Sequence, residues 1–166
     1  MMTITYGGRN SIYINITNKC PCACVFCLRN NKDHVFNSNS LWLEREPTVK
    51  EICDSIDAWD LDKYDEIVFC GYGEPTERLD DLLAVASYIK TKSQIKIRIN
   101  TNGLADLIWN EKTAPKLKGL IDTVSVSLNA DHTVSLCSLI NIWVCKSFVR
   151  GGGSGKKVVF TGEDYR

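Results

Sequence analysis

The chain has 166 residues, of which 44% are hydrophobic and 24% charged, a composition typical of one soluble globular domain rather than of a disordered or low-complexity protein. Twenty basic residues balance twenty acidic ones, which gives no electrostatic signature of nucleic-acid or anionic-membrane binding. Neither a membrane-spanning apolar run nor a signal peptide is apparent, so we expect a cytoplasmic protein without a membrane partner.

The first predicted strand, residues 11–17, is rich in β-branched and aromatic residues and runs directly into a group of cysteines. A long polar loop follows. Thr48 and Glu51 then form a capping-box pattern, which predicts the start of a helix. The apolar residues of that helix share one face: Val49, Ile52, Ile56 and Trp59.

Three further strands are predicted, at 66–70, 95–100 and 123–128, and a weaker one at 158–160. Helices are predicted between them, one from Leu79 and one from about Leu104 that is interrupted at Pro115. Strands joined by helices form a parallel sheet, so the sequence predicts an α/β fold. In such folds the chemistry lies at the carboxyl ends of the strands.

Cysteine is the unusual residue type, with eight copies. Cys20, Cys24 and Cys27 place three thiols in one short loop, which suits a 4Fe–4S cluster with one iron left open. Cys22 lies between them and leaves two alternatives: a fourth ligand that closes an iron site, or an all-cysteine zinc site. A third alternative is free thiols. The other four cysteines lie in apolar segments and are predicted to fill the core: Cys53, Cys70, Cys137 and Cys145.

Two motifs carry a resemblance to a known family. The segment from Thr17 to Cys27 resembles the CxxxCxxC signature of the radical S-adenosylmethionine (radical SAM) superfamily. The segment Gly71-Tyr72-Gly73-Glu74-Pro75 resembles its Gly-Gly-Glu-Pro motif, with Tyr72 in place of one glycine. Residues 41–48 and 71–81 are similar to the TatD-associated radical SAM proteins. The resemblance implies a partial (β/α) barrel with about four to five parallel βα units.

The resemblance also implies a chemistry. Cys20, Cys24 and Cys27 would bind the 4Fe–4S cluster, and its open iron would bind S-adenosylmethionine. Reductive cleavage would then give a 5′-deoxyadenosyl radical that abstracts hydrogen from an unassigned substrate. The protein's own task would be positioning and the exclusion of competing hydrogen donors. A reducing protein such as a flavodoxin or ferredoxin is the implied partner.

Five residues are implied as contacts of S-adenosylmethionine. Glu74 and the backbone carbonyl near Gly73 would accept hydrogen bonds from its amino group. Phe26 would lie near the adenine, and Ser127 with Asn129 would reach the ribose or the methionine carboxylate. The alternatives are that Phe26 is a core residue and that Ser127 and Asn129 only end a strand.

The resemblance covers about residues 3–130, so we predict a radical SAM core over 1–130 and a divergent segment over 131–166 with a glycine-rich linker. The resemblance implies that a complete core has six βα units, and a βαβ unit takes roughly 30 residues or more, so that segment cannot supply two more units. The chain would therefore be naturally short, completed by a partner, or a truncated or frame-altered version. The alternatives to an enzyme are a non-enzymatic zinc or closed iron–sulfur module and an inactive fragment.

Overall fold

The computed structural model describes residues 2–24, 27–128 and the backbone of 156–161. Within these residues one sheet has six strands in sequence order. Strands β2 to β5 are parallel, whereas β1 and β6 run antiparallel to their neighbours at the two edges. The strands are β1 (Thr5–Gly8), β2 (Ser11–Ile14), β3 (Glu66–Phe69), β4 (Lys96–Thr101), β5 (Thr123–Leu128) and β6 (Lys156–Thr161).

The α/β class is confirmed, and four strands are parallel, at the lower end of the four to five units expected. The predicted sheet differs from the observed one at both of its edges. The segment around 158–160 does form a strand, but it is antiparallel to β5. Strand β1 was not predicted, because Gly7 and Gly8 have low strand propensity. The absence of a side chain at these positions leaves room for the Trp59 ring against Gly7 and for the Phe36 ring against Gly8.

One face of the sheet forms the main hydrophobic core. The parallel register aligns apolar residues of neighbouring strands, so Ile12 pairs with Ile67, and Ile67 with Ile97. Phe69 occupies the next level, between Ile14 and Ile99. All of these side chains are fully buried, and the two longest helices pack on them. In β3 the intervening Val68 is fully buried as well, so this strand is covered on both faces and reads as a continuous apolar run.

The first helix, α1 (Val49–Asp57), begins at the predicted capping box. The Thr48 hydroxyl accepts from the Glu51 N–H at 3.3 Å, and the Glu51 carboxylate accepts from the Thr48 N–H at 2.8 Å. Trp59 was expected on this helix but lies beyond its end. It is half-buried against the core, and its indole N–H donates to the Thr5 hydroxyl at 2.9 Å.

The remaining helices are α2 (Leu79–Lys92), α3 (Ala105–Trp109) and α4 (Ala114–Leu117), with short 3₁₀ helices at Leu28–Asn30, Leu61–Lys63 and Pro75–Arg78. The break in the third predicted helix was placed wrongly at Pro115. It occurs at Asn110, whose φ of 51° is left-handed, and Pro115 lies in the first turn of α4, where proline is tolerated. No helix in the described part of the chain is long and apolar enough to cross a bilayer.

A smaller apolar cluster lies on the opposite face, where the loop that follows the cysteines covers β1 and β2. It comprises Tyr6, Leu41 and Tyr72, with Tyr13 and Val35 packed against it. The Tyr6 and Tyr13 rings stack with centroids 5.1 Å apart. This second cluster fixes the loop between the cysteines and α1 to the sheet.

Candidate functional site

Three segments meet at the carboxyl ends of the parallel strands, where the chemistry of such a fold was expected. The cysteine loop follows β2, the Gly71–Pro75 segment follows β3, and Asn102 follows β4. The Glu74 N–H donates to the carbonyl of Lys19 at 2.7 Å. The Asn102 amide nitrogen lies 3.5 Å from the Cys22 sulfur. The parallel sheet therefore assembles the candidate site from residues far apart in the sequence.

Gly73 is the point where the cysteine loop packs on the second motif. A Cβ atom at this position would lie 2.7 Å from the Lys19 carbonyl oxygen and would also collide with the Thr17 carbonyl. Both obstacles are backbone atoms, which cannot move aside as a flexible side chain would. Glycine is therefore required here for the close approach of the two segments.

Glu74 is a buried hub of hydrogen bonds, with 3% of its surface exposed. Its Oε1 accepts from the Thr76 N–H at 3.1 Å and from the hydroxyls of Thr76 and Thr101 at 2.7 Å each. Its Oε2 accepts from the Asn102 N–H at 2.7 Å. The carboxylate thus ties the end of β3 to the end of β4.

Two opposing effects act on the Glu74 carboxyl. Burial raises its pKa above the ordinary value, while the hydrogen bonds from Asn102, Thr101 and Thr76 act to lower it. A carboxylate offers about four lone-pair sites, and the single donor on Oε2 leaves room there for one more. The contact between Glu74 and the amino group of S-adenosylmethionine stays a prediction.

The cysteines lie in a partly exposed loop. The Cys27 N–H donates to the Cys24 carbonyl at 3.1 Å, which forms a turn between these two residues. Two side chains also hold the loop by hydrogen bonds to its carbonyls. The Asn30 amide donates to the Cys24 carbonyl, and the Arg29 guanidinium donates to the Cys22 carbonyl. Burial, followed by the charges of Cys20 and Cys24, raises the pKa of the Cys22 thiol to about 11.

The donor set fits an iron–sulfur cluster, because closely spaced thiols in one loop are the ligands that such clusters take. Cys20, Cys24 and Cys27 are each partly accessible at the site edge. Among the described residues, no three Cys, His, Asp or Glu side chains already surround a common point. The ligand role of these three cysteines therefore stays a prediction.

Tyr72, which departs from the family motif, has a clear structural role. It is 5% exposed and belongs to the second apolar cluster. Its hydroxyl donates to the Lys32 carbonyl, and the Trp42 ring meets it edge-on at 5.2 Å between centroids. Tyr72 thereby fastens the loop after the cysteines to the second motif.

Of the other predicted site residues, Ser127 alone lies within the described part of the chain. Phe26 and Asn129 lie outside the described residues, as do Cys137 and Cys145. Ser127 lies in β5 with an exposed side chain, and in the described part of the chain no hydrogen bond joins it to the cysteines or Glu74. Cys53 is buried, as expected of core filler, whereas Cys70 is half-buried.

Sequence reasoning missed the partners of Glu74. Thr76 follows β3, whereas Thr101 ends β4 and Asn102 follows it, so no local motif groups these three residues. Trp109 was missed as well; its indole N–H donates to the Thr76 carbonyl at 2.7 Å and braces the same segment from α3. The available signal was positional, since Asn102 follows a predicted strand at its carboxyl end.

Comparisons with known proteins agree with these motifs. The sequence profile of the radical SAM superfamily matches residues 14–158. An uncharacterized protein of Methanocaldococcus jannaschii is 29% identical over 126 residues, which are 74% of this chain and 39% of that protein. The chain thus spans about two fifths of the length of that curated relative. No solved structure matches.

Proposed function

Because this chain belongs to the radical SAM superfamily, we propose that it binds a 4Fe–4S cluster and S-adenosylmethionine and works as a radical SAM enzyme. Cys20, Cys24 and Cys27 are the proposed ligands. The observation that carries the proposal is the packing of the cysteine loop on the second motif, through Gly73 and the bond from the Glu74 N–H to the Lys19 carbonyl. The similarity to TatD-associated proteins remains a prediction.

The chemistry supplied by the bound groups is the reductive cleavage of S-adenosylmethionine to methionine and a 5′-deoxyadenosyl radical, which abstracts a substrate hydrogen. The chain's own residues position these groups. Gly73 allows the cysteine loop to lie against the strand ends, and Glu74 locks β3 to β4 beside it. Oε2 of Glu74 accepts one hydrogen bond within the described chain, and it is the proposed acceptor for the positively charged amino group of S-adenosylmethionine.

The proposal extends to partners. A single-electron donor such as a flavodoxin or ferredoxin supplies the electron, and the cytoplasm keeps the thiols reduced before cluster assembly. The predicted boundary near residue 130 and completion of the barrel by a partner also stay predictions, since residues 129–155 lie outside the described part of the chain.

Anaerobic reconstitution with iron and sulfide tests the proposal. We expect about four irons per chain, a change in the electron paramagnetic resonance spectrum of the reduced protein on addition of S-adenosylmethionine, and formation of 5′-deoxyadenosine. Loss of a single ligand from Cys20, Cys24 or Cys27 by substitution with alanine should lower bound iron severalfold. Cys53→Ala is the matched control, because Cys53 lies in the core, away from the loop.

Cys22 distinguishes this proposal from the alternative of a closed site. Its sulfur lies beside Asn102, and the thiol is also close enough to Cys20 to affect the Cys22 pKa. We expect Cys22→Ala to retain the cluster. Loss of iron in that variant, or stoichiometric zinc without the brown iron–sulfur absorbance, would establish a four-thiolate site and overturn the proposal.

A further inference from the structure

We propose that the Asn102 side-chain amide is a positioning residue that donates a hydrogen bond to the Cys20 sulfur and raises the reduction potential of the cluster. The inference rests on the proposed function, because it needs a cluster bound through Cys20. The observations that carry it are the distances from the Asn102 amide nitrogen, which are 3.5 Å to the Cys22 sulfur and 4.0 Å to the Cys20 sulfur.

The orientation of the Asn102 amide is fixed by its other contacts. The backbone N–H of Asn102 donates to the buried Glu74 carboxylate at 2.7 Å, which holds the residue in place. The side-chain oxygen accepts from the Leu104 N–H at 2.9 Å. A flipped amide would set its NH₂ group against that N–H donor. The NH₂ group therefore faces the cysteine sulfurs and can only donate to them.

Other asparagines near the loop have different roles. Asn30 donates to the carbonyl of Cys24 at 3.2 Å, and Asn18 pairs with the backbone of Leu43 through both of its side-chain atoms. Among the asparagines that the structure describes, Asn102 is the one with an amide donor directed at a cysteine sulfur. Asn102 also lies far from the cysteine loop in sequence, since it directly follows β4.

A donor at this place acts on the redox balance of the cluster. Reduction adds one electron to the 2+ cluster and gives the 1+ cluster, and no bond to the protein forms or breaks. The added negative charge is shared with the thiolate sulfurs, so a hydrogen bond to a sulfur is stronger in the reduced state. Asn102 should therefore favour reduction, and loss of its donor should make the potential more negative.

A redox titration of the reconstituted protein tests this inference, with dithionite as the electron source and the electron paramagnetic resonance signal of the 1+ cluster as the readout. We expect Asn102→Ala to lower the one-electron reduction equilibrium constant by about tenfold, which corresponds to about 59 mV. Asn31→Ala is the control, since Asn31 follows the same loop with an exposed side chain and its loss should leave the potential unchanged.

Two further variants separate an electrostatic role from a purely structural one. Asn102→Asp keeps the acceptor for the Leu104 N–H but replaces the donor with a negative charge, so its potential should be at least as negative as that of Asn102→Ala. In a Cys22→Ala background the effect of Asn102→Ala should persist, because the acceptor that matters is Cys20. An effect of Asn102→Ala that persists in this background supports the inference. If the effect disappears, the amide donates to Cys22 and the inference is overturned.

The outcomes also separate the inference from the proposed function. If the wild-type chain binds no 4Fe–4S cluster, the proposed function fails and the inference fails with it. If the wild-type chain binds the cluster but Asn102→Ala has the wild-type potential, the inference alone fails. A lower unfolding midpoint of the metal-free Asn102→Ala protein with an unchanged potential would give Asn102 a structural role only.

Discussion

At the residue scale, the candidate site depends on buried polar groups that join separate segments. Glu74 is the clearest case, because its four hydrogen bonds reach Thr76, Thr101 and Asn102. Buried groups of this kind stabilise a fold only while every donor and acceptor is paired. The integrity of the site should therefore be sensitive to small changes at this carboxylate.

We predict that Glu74→Gln lowers the free energy of unfolding by about 1–3 kcal/mol. The carboxamide has one oxygen, so its NH₂ group must face one of the donors that now bind the carboxylate. Urea denaturation of the metal-free protein measures the loss. Glu111→Gln is the matched control; Glu111 forms an exposed ion pair with Lys116, and its loss should cost at most about 0.5 kcal/mol. An equal effect of both substitutions would contradict the assigned hub.

The motif indicated that Gly73 and Glu74 belong to the site, but not how they act. The Gly73 contact is with backbone atoms of another segment, and the Glu74 partners include residues at the end of β4, far away in the sequence. Neither relation is encoded in a local pattern. The sequence motif therefore predicts that both residues belong to the site, whereas their mutual bracing depends on the three-dimensional arrangement of the strands.

At the scale of the element, the start of α1 shows how closely local chemistry sets a boundary. The capping box at Thr48 and Glu51 was predicted from four residues and is confirmed. Arg45 reinforces it by pairing with the Glu51 carboxylate. The hydrogen bond from Arg45, followed by those from Thr48, lowers the pKa of Glu51 to about 2.

A depressed carboxyl pKa in the folded state means that this contribution to stability is present above the pKa of the unfolded chain and is lost as the pH falls. We predict that the difference in free energy of unfolding between wild type and Glu51→Gln shrinks as the pH falls from about 4.5 to about 2. Chemical denaturation at several pH values measures it. A difference that stays constant over this range would contradict the prediction.

The elements differ in how well their sequences revealed them. Strands β3, β4 and β5 were located to within about a residue at each end, because apolar and β-branched runs are distinctive. Strand β1 was missed because two of its four residues are glycines. The direction of β6 was not predictable, since the pattern of a strand does not state whether it runs parallel or antiparallel to its neighbour.

At the scale of the whole molecule, one core connects the parallel strands with α1 and α2. Phe69 is fully buried at its centre, in β3, between Ile14 and Ile99 on the flanking strands. The parallel order of β2 to β5 was predictable, because each pair is joined by a helical connection. A shared core of this kind should make the described sheet unfold as one unit.

We predict that Phe69→Ala lowers the free energy of unfolding by about 3–5 kcal/mol while the transition stays cooperative. The reason is the cavity left in a core that strands on both sides share. Circular dichroism and amide hydrogen exchange during urea unfolding should report the same midpoint. Leu107→Ala, at a position 57% exposed, is the control and should change stability by at most about 0.5 kcal/mol. Two separate transitions would contradict a single cooperative core.

The contact between the cysteine loop and the second motif has a consequence for protein engineering. It is made by main-chain atoms, the carbonyls of Thr17 and Lys19 against Gly73 and the Glu74 N–H. Pro21 and Ala23, which alternate with the cysteines, have exposed side chains. A combinatorial library randomised at these two positions would change the shape and polarity of the exposed surface of the cysteine loop while it left that main-chain attachment intact.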